Sequence, residues 1–104
     1  MARPFQHPAV KDITIDAILY ALSDPDRRDI LFTIMGCNGV NCVDSCRKLP
    51  PSTLSFHYKV LREAGLIRSE KKGVEVINTG RKEEIEKRFP GLLHSIFLHH
   101  KAKK

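Results

Sequence analysis

A mainly α domain carrying a small β-hairpin is predicted from three observations. Apolar residues recur at helical spacing along most of the 104 residues, the spacing changes once to alternation around a Lys-Lys-Gly step, and Gly and Pro punctuate the joints. At this length, with 41% apolar residues, the chain makes one compact domain.

The first helix follows Asp12, where Ile15, Ile18, Leu19 and Leu22 recur on one face until Ser23. In "SDPDRRDILFTIMG", Pro25 stands in a first turn behind a capping Ser23 or Asp24. Ile30, Leu31 and Ile34 share a face and Gly36 is the stop, which makes the second helix. "CNGVN" reads as a polar turn. "CVDSCRKL" then fits a short third helix with Cys42, Cys46 and Leu49 on one side, closed by Pro50 and Pro51.

The fourth helix is capped by Ser52 or Thr53 and runs to about Ala64, with Gly65 as its left-handed stop. Leu54, Tyr58 and Leu61 share one face, Val60 and Ala64 lie at its edge, and Ser52, Phe56, Lys59 and Glu63 lie nearly opposite. An aromatic ring is therefore expected on the outward face. "LIRSEKKGVEVINT" alternates around a Lys72-Gly73 turn and predicts a hairpin with a cationic tip. The last helix carries Ile85, Phe89, Leu92, Leu93, Ile96 and Phe97 on one stripe, with Glu83 to Lys87 and Glu84 to Arg88 pairs outside and Pro90 splitting it. Residues 1–11 and 99–104 read as tails, the second one basic, leaving 12–98 as the domain.

With 18 Lys plus Arg against 12 Asp plus Glu, the net charge of +6 favours a polyanionic partner, nucleic acid or an anionic membrane surface. No apolar run reaches the roughly 18 residues of a membrane span. The N-terminus lacks a signal-peptide core and the Cys count is odd, so a reducing cytoplasmic location is the expectation. A Gly-rich phosphate loop, a Ser with a base at fixed offset and paired carboxylates in an apolar setting are all missing, which argues against an enzyme.

Three helices, a tight helix-turn-helix and a cationic hairpin together make a winged helix-turn-helix. That shape suits duplex DNA, with a helix in the major groove and wing lysines on phosphates. Ser52, Thr53, Ser55, Phe56 and Lys59 are then the surface that meets base edges, Phe56 lying against thymine methyls, with Lys71 and Lys72 at the wing. Two alternatives stay open: Phe56 as an exposed ring packed on its own chain, and the whole domain as a protein-protein module.

The blocks "ALSDPDRRDILFTI", "STLSFHYKVLREAGLI" and "EKKG" resemble the ArsR/SmtB family of bacterial dimeric repressors, whose wording runs close to "LADPTRRxIL" and "STVSxHLxxLxxAGLV" with a charged Gly-containing wing. The resemblance covers residues 15–97 and is most specific in the middle block. It implies a homodimer built on the first and last helices, here Ile15, Leu19, Ile85, Phe89, Leu92 and Ile96, that binds an inverted-repeat operator and leaves it when an effector binds. It also places His57 in the recognition helix, where anchoring the helix and touching phosphate are both open readings. "LPPST" is shorter than the family's "LGLSQST" turn, which leaves the tilt of that helix open.

Many proteins of the family sense soft metals or arsenite through thiolates. The usual Cys-x-Cys pair is absent here, its positions falling on Asn41 and Val43, so Cys42 and Cys46 read first as small core residues. Cys37, Cys42 and Cys46 remain candidates for a soft ion or for thiol oxidation. The cofactor is otherwise unknown. The family's Asp and His site on the last helix is not expected, since Thr79-Gly80-Arg81 stands where it would start and His99 and His100 fall in the basic end.

Overall fold

The computed structural model describes residues 5–36, 40–41 and 49–100. Among them are five α-helices and a three-stranded antiparallel sheet, a mainly α winged-helix architecture. A 3-10 turn at Val10–Asp12 leads into α1 (Ile15–Ala21) and α2 (Pro25–Gly36). β1 (Val40–Asn41), α3 (Pro51–Glu63), β2 (Ile67–Lys72), β3 (Glu75–Gly80), α4 (Lys82–Arg88) and α5 (Leu92–His99) follow. The fourth helix of the sequence reading is thus α3, and the third, with Cys42 and Cys46, lies outside the described residues together with Cys37.

Helix starts follow local chemistry. Thr14 Oγ1 accepts the backbone N–H of Ala17 at 3.1 Å and caps α1. Asp24 Oδ1 accepts from Asp26 N at 2.7 Å and Arg27 N at 3.3 Å, capping α2 behind Pro25. α3 corrects an expectation: its cap is Pro50, with no side-chain bond, and Pro51 is the first helical residue, so Ser52 and Thr53 already lie in the first turn. Pro51 takes that place because its φ is preset and its missing N–H would have been an orphan there.

The core is one cluster to which every α-helix among the described residues contributes. Ile18 and Ala21 of α1, Ile30, Leu31 and Ile34 of α2, Leu54, Tyr58 and Leu61 of α3, Ile67 of β2, Ile85 of α4 and Leu93 of α5 are all buried. Gly65, at φ +85°, turns the chain from α3 into the wing. β2 and β3 pair from Ile67↔Gly80 to Lys72↔Glu75 around a two-residue loop, Gly73 and Val74. Gly73 occupies the first loop position at φ +63°, as a two-residue turn of this class demands.

Several sequence expectations need correction. "CNGVN" is more than a turn, since Val40 and Asn41 form a strand paired with Asn78 and Ile77 of β3. Glu84 does not reach Arg88 but accepts from Arg81 Nε and Nη2 at 2.9 and 3.0 Å and from Arg68 at 3.4 Å, while Arg88 donates to the Val10 carbonyl at 2.6 Å. Burial of Arg81 beside that carboxylate explains the choice, because a buried guanidinium needs a paired acceptor. The last helix splits as expected, α4 from α5, at Pro90 and a left-handed Gly91 (φ +81°) whose N–H goes to Glu86 Oε2.

The ends are also anchored where tails were expected. Residues 5–12 pack on the domain, with the Phe5 ring under the Arg62 guanidinium at 4.5 Å. At the other end His100 Nδ1 accepts from Arg28 Nε at 3.1 Å and its Nε2–H donates to Asp29 at 2.6 Å. Among the described residues no helix is long and apolar enough to cross a membrane.

Candidate nucleic-acid interface

The outward face of α3 presents Ser52, Ser55, Phe56 and Lys59 together, with Thr53 half-buried at its edge. The opposite face packs into the core through Leu54, Tyr58 and Leu61, which fixes the rotation of the helix about its axis. Phe56 is 52% exposed, so its ring faces outward as the spacing predicts. Lys71 and Lys72 are exposed at the far end of β2, and Lys72 stands opposite Glu75, which offsets part of the tip's charge. Val74 projects at the wing tip with 97% of its surface free.

His57 does not share that surface. It is 5% exposed, and its Nδ1 lies 3.2 Å from Arg27 Nη1. A guanidinium only donates, so Nδ1 accepts and the neutral ring carries its proton on Nε2. Arg27 is itself buried at 6% exposure and donates from Nε to the Ala21 carbonyl at 2.7 Å. Its guanidinium also lies 5.5 Å from the Tyr20 ring and 6.0 Å from the Phe56 ring. One side chain thus ties the end of α1 to the middle of α3 and backs the inner side of Phe56.

The sequence reading missed Arg27 as a site residue. Its signal was the Arg pair after Pro25, in which Arg28 likewise donates to the Leu22 carbonyl at 2.7 Å, so both arginines satisfy carbonyls that the end of α1 leaves open. Ligand atoms of Asp24, Asp26 and His57 lie within 4.8 Å of one another, a donor set that a divalent ion would fit. Arg27 already places its positive charge at His57 Nδ1, so the group reads as a filled charge network. Burial opposes ionisation of Asp24, but the N–H groups of Arg27 and Asp26 and the nearby guanidinium outweigh it and hold its carboxyl below the ordinary 3.8.

The residues expected at a dimer interface divide in three. Ile15 is 37% and Leu19 51% exposed on α1, while Phe89, Leu92 and Ile96 are partly buried against the core. Ile85 has no exposed surface; it belongs to this chain's own core and offers nothing to a second copy. Tyr20, Phe97 and Leu98 add apolar surface at 60, 55 and 64% exposure; the sequence stripe had grouped Phe97 with core residues and had not included Tyr20 or Leu98.

No protein-family model and no curated protein sequence matches the chain. Solved structures do. An ArsR-like transcriptional regulator from Rhodococcus sp. RHA1 superposes with a TM-score of 0.61 at 25% identity, over 80% of this chain and 78% of that one. An ArsR-family transcriptional regulator superposes with a TM-score of 0.65 at 19% identity, over 94% of this chain and all of the other, 100%. The chain has the fold of the ArsR-type regulators. At the level of fold this agrees with the resemblance that the α2 and α3 blocks suggest, and both similar structures are regulators of transcription.

Proposed function

We propose that the chain is a sequence-specific, double-stranded DNA-binding transcriptional regulator of the ArsR type, acting in the cytoplasm as a homodimeric repressor that an effector releases from an inverted-repeat operator. The observation that carries this reading is the division of α3 into a face locked in the core and an outward face of Ser52, Ser55, Phe56 and Lys59, beside a wing that exposes Lys71 and Lys72. A rigid helix with a short polar and aromatic face suits the major groove, and the wing lysines suit phosphates. In this reading His57 works from inside, holding α3 through Arg27, and touches no phosphate. The exposed Ile15, Leu19, Phe97 and Leu98 form the surface that a second copy covers.

The test uses a duplex recovered by the full chain from a random library. Phe56→Ala should lower affinity for that duplex by roughly one to two powers of ten, since a lost base contact costs about 1 to 3 kcal/mol, and should leave random duplex nearly unchanged. An unchanged ratio between the two duplexes would remove Phe56 from the reading surface.

A further inference from the structure

In the sheet order β1-β3-β2, β2 is an edge strand, and an edge leaves alternate N–H and C=O groups pointing away from the sheet. Ser69 is one such position. Its backbone N–H donates to His7 Nε2 at 2.9 Å instead of to water. The same residue joins two further elements: Ser69 Oγ donates to Asn78 Oδ1 of β3 at 2.6 Å and accepts from Arg62 Nη1 of α3 at 3.2 Å, and Arg62 in turn lies over the Phe5 ring at 4.5 Å. Pro8 and Ile13 then cross directly above Gly65, the turn between α3 and the wing, where a Cβ would meet Ile13 at 2.5 Å and Pro8 at 3.4 Å. The N-terminal segment therefore touches the end of the reading helix, the base of the wing and the hinge between them.

We propose that residues 5–8 are a strap that positions the wing against the end of α3, that its hold requires a neutral His7, and that acidification releases it and weakens sequence-specific DNA binding. The last step rests on the DNA-binding reading above; the first two do not. His7 accepts at Nε2, and a protonated ring has no acceptor to offer Ser69. The charged groups around it are Arg62 of α3, Arg68 and Glu70 of β2 and Arg81 at the start of α4, three cations against one anion. Burial, then Arg68, Arg81 and Arg62, hold the docked ring below its ordinary 6.5, with Glu70 opposing. A freed strap takes up its proton near 6.5. Docking is therefore complete above that pH and weakens as pH falls below it, down to the lower value of the docked ring.

Protonation also raises the protein's net charge, which by itself strengthens binding to any duplex. A loss of affinity in acid thus has the opposite sign to the general electrostatic effect. The experiment compares wild type, His7→Gln and His7→Ala at about pH 7.5 and about pH 5.5. Amide hydrogen exchange gives the protection of Ser69 relative to Arg68 and Glu70, whose N–H groups face β3. In wild type the relative protection of Ser69 should fall about tenfold on acidification, the worth of one hydrogen bond. His7→Gln keeps an acceptor that does not titrate and should hold its protection at both values, while His7→Ala should show the low value at both. Affinity for the library-selected duplex should follow, falling several-fold in acid for wild type and little for His7→Gln. Unchanged Ser69 protection in wild type, or an equal fall in His7→Gln, overturns the strap. A Ser69 switch with no matching change in duplex affinity upholds the strap's hold and overturns its link to DNA.

Discussion

Arg27→Met removes a guanidinium while keeping much of its apolar stem, and it tests the claim that α3 is held from behind. Two buried acceptors lose their donor, the Ala21 carbonyl at 2.7 Å and His57 Nδ1 at 3.2 Å. An unsatisfied buried acceptor costs about 1 to 3 kcal/mol, and loss of the stacking on Tyr20 adds about 0.5 to 1 kcal/mol. Relief from burying a cation offsets part of this, so a net loss of about 2 to 3 kcal/mol is expected. For a domain of this size that lowers Tm by roughly 10 to 20 °C. Thermal unfolding by circular dichroism gives the shift, and duplex binding measured well below the lowered Tm gives the consequence for α3. Affinity for the selected duplex should drop more than affinity for random duplex, because the helix loses its tether while the wing keeps its lysines. Arg27→Lys should fall between, since an ammonium cannot reproduce the planar fork. A Tm within about 2 °C of wild type would refute the reasoning, because both acceptors would then have found partners without Arg27.

Three further outcomes follow from the same geometry. Gly65→Ala forces a left-handed residue and sets a Cβ 2.5 Å from Ile13 Cγ1, so a loss of about 2 to 4 kcal/mol should appear as a lower denaturant midpoint at unchanged slope. Leu19→Glu puts a charge on the exposed α1 surface, and sedimentation should show wild type as a dimer at micromolar concentration and the variant as a monomer. Hydrogen bonds from Arg81 hold the Glu84 carboxyl below its ordinary 4.5, so stability should be full above that pH and fall as pH drops below it; Glu84→Gln should flatten the dependence of Tm on pH there.

Elements set by local periodicity were legible in the sequence, and those set by distant partners were not. α3 could be read because Leu54, Tyr58 and Leu61 recur with the helical period and Gly65 ends them; the same pattern places Phe56 outside. The wing could be read from the change of period. β1 escaped because two residues carry no period and its partners are in β3. His7 and His100 looked like parts of tails, since their partners lie 62 and more than 70 positions away, beyond any local pattern. Ile85 shared a stripe with Leu92 and Ile96, but spacing cannot separate a residue facing the chain's own core from one facing outward. Arg27 was hidden by chemistry, because a cation in a helix normally reads as a solvated face and here it is buried under two rings.

The salt dependence of duplex binding tests the central claim most directly, measured on wild type and on the Lys71→Ala, Lys72→Ala double variant with both selected and random duplex. The account predicts a steep linear fall of log affinity with log salt for wild type, and a slope smaller by about 1 for each lysine removed per protomer. It also predicts that the double variant weakens on both duplexes alike. Binding that ignores salt, or none to any duplex, would contradict the account and leave the winged helix as a protein-docking module.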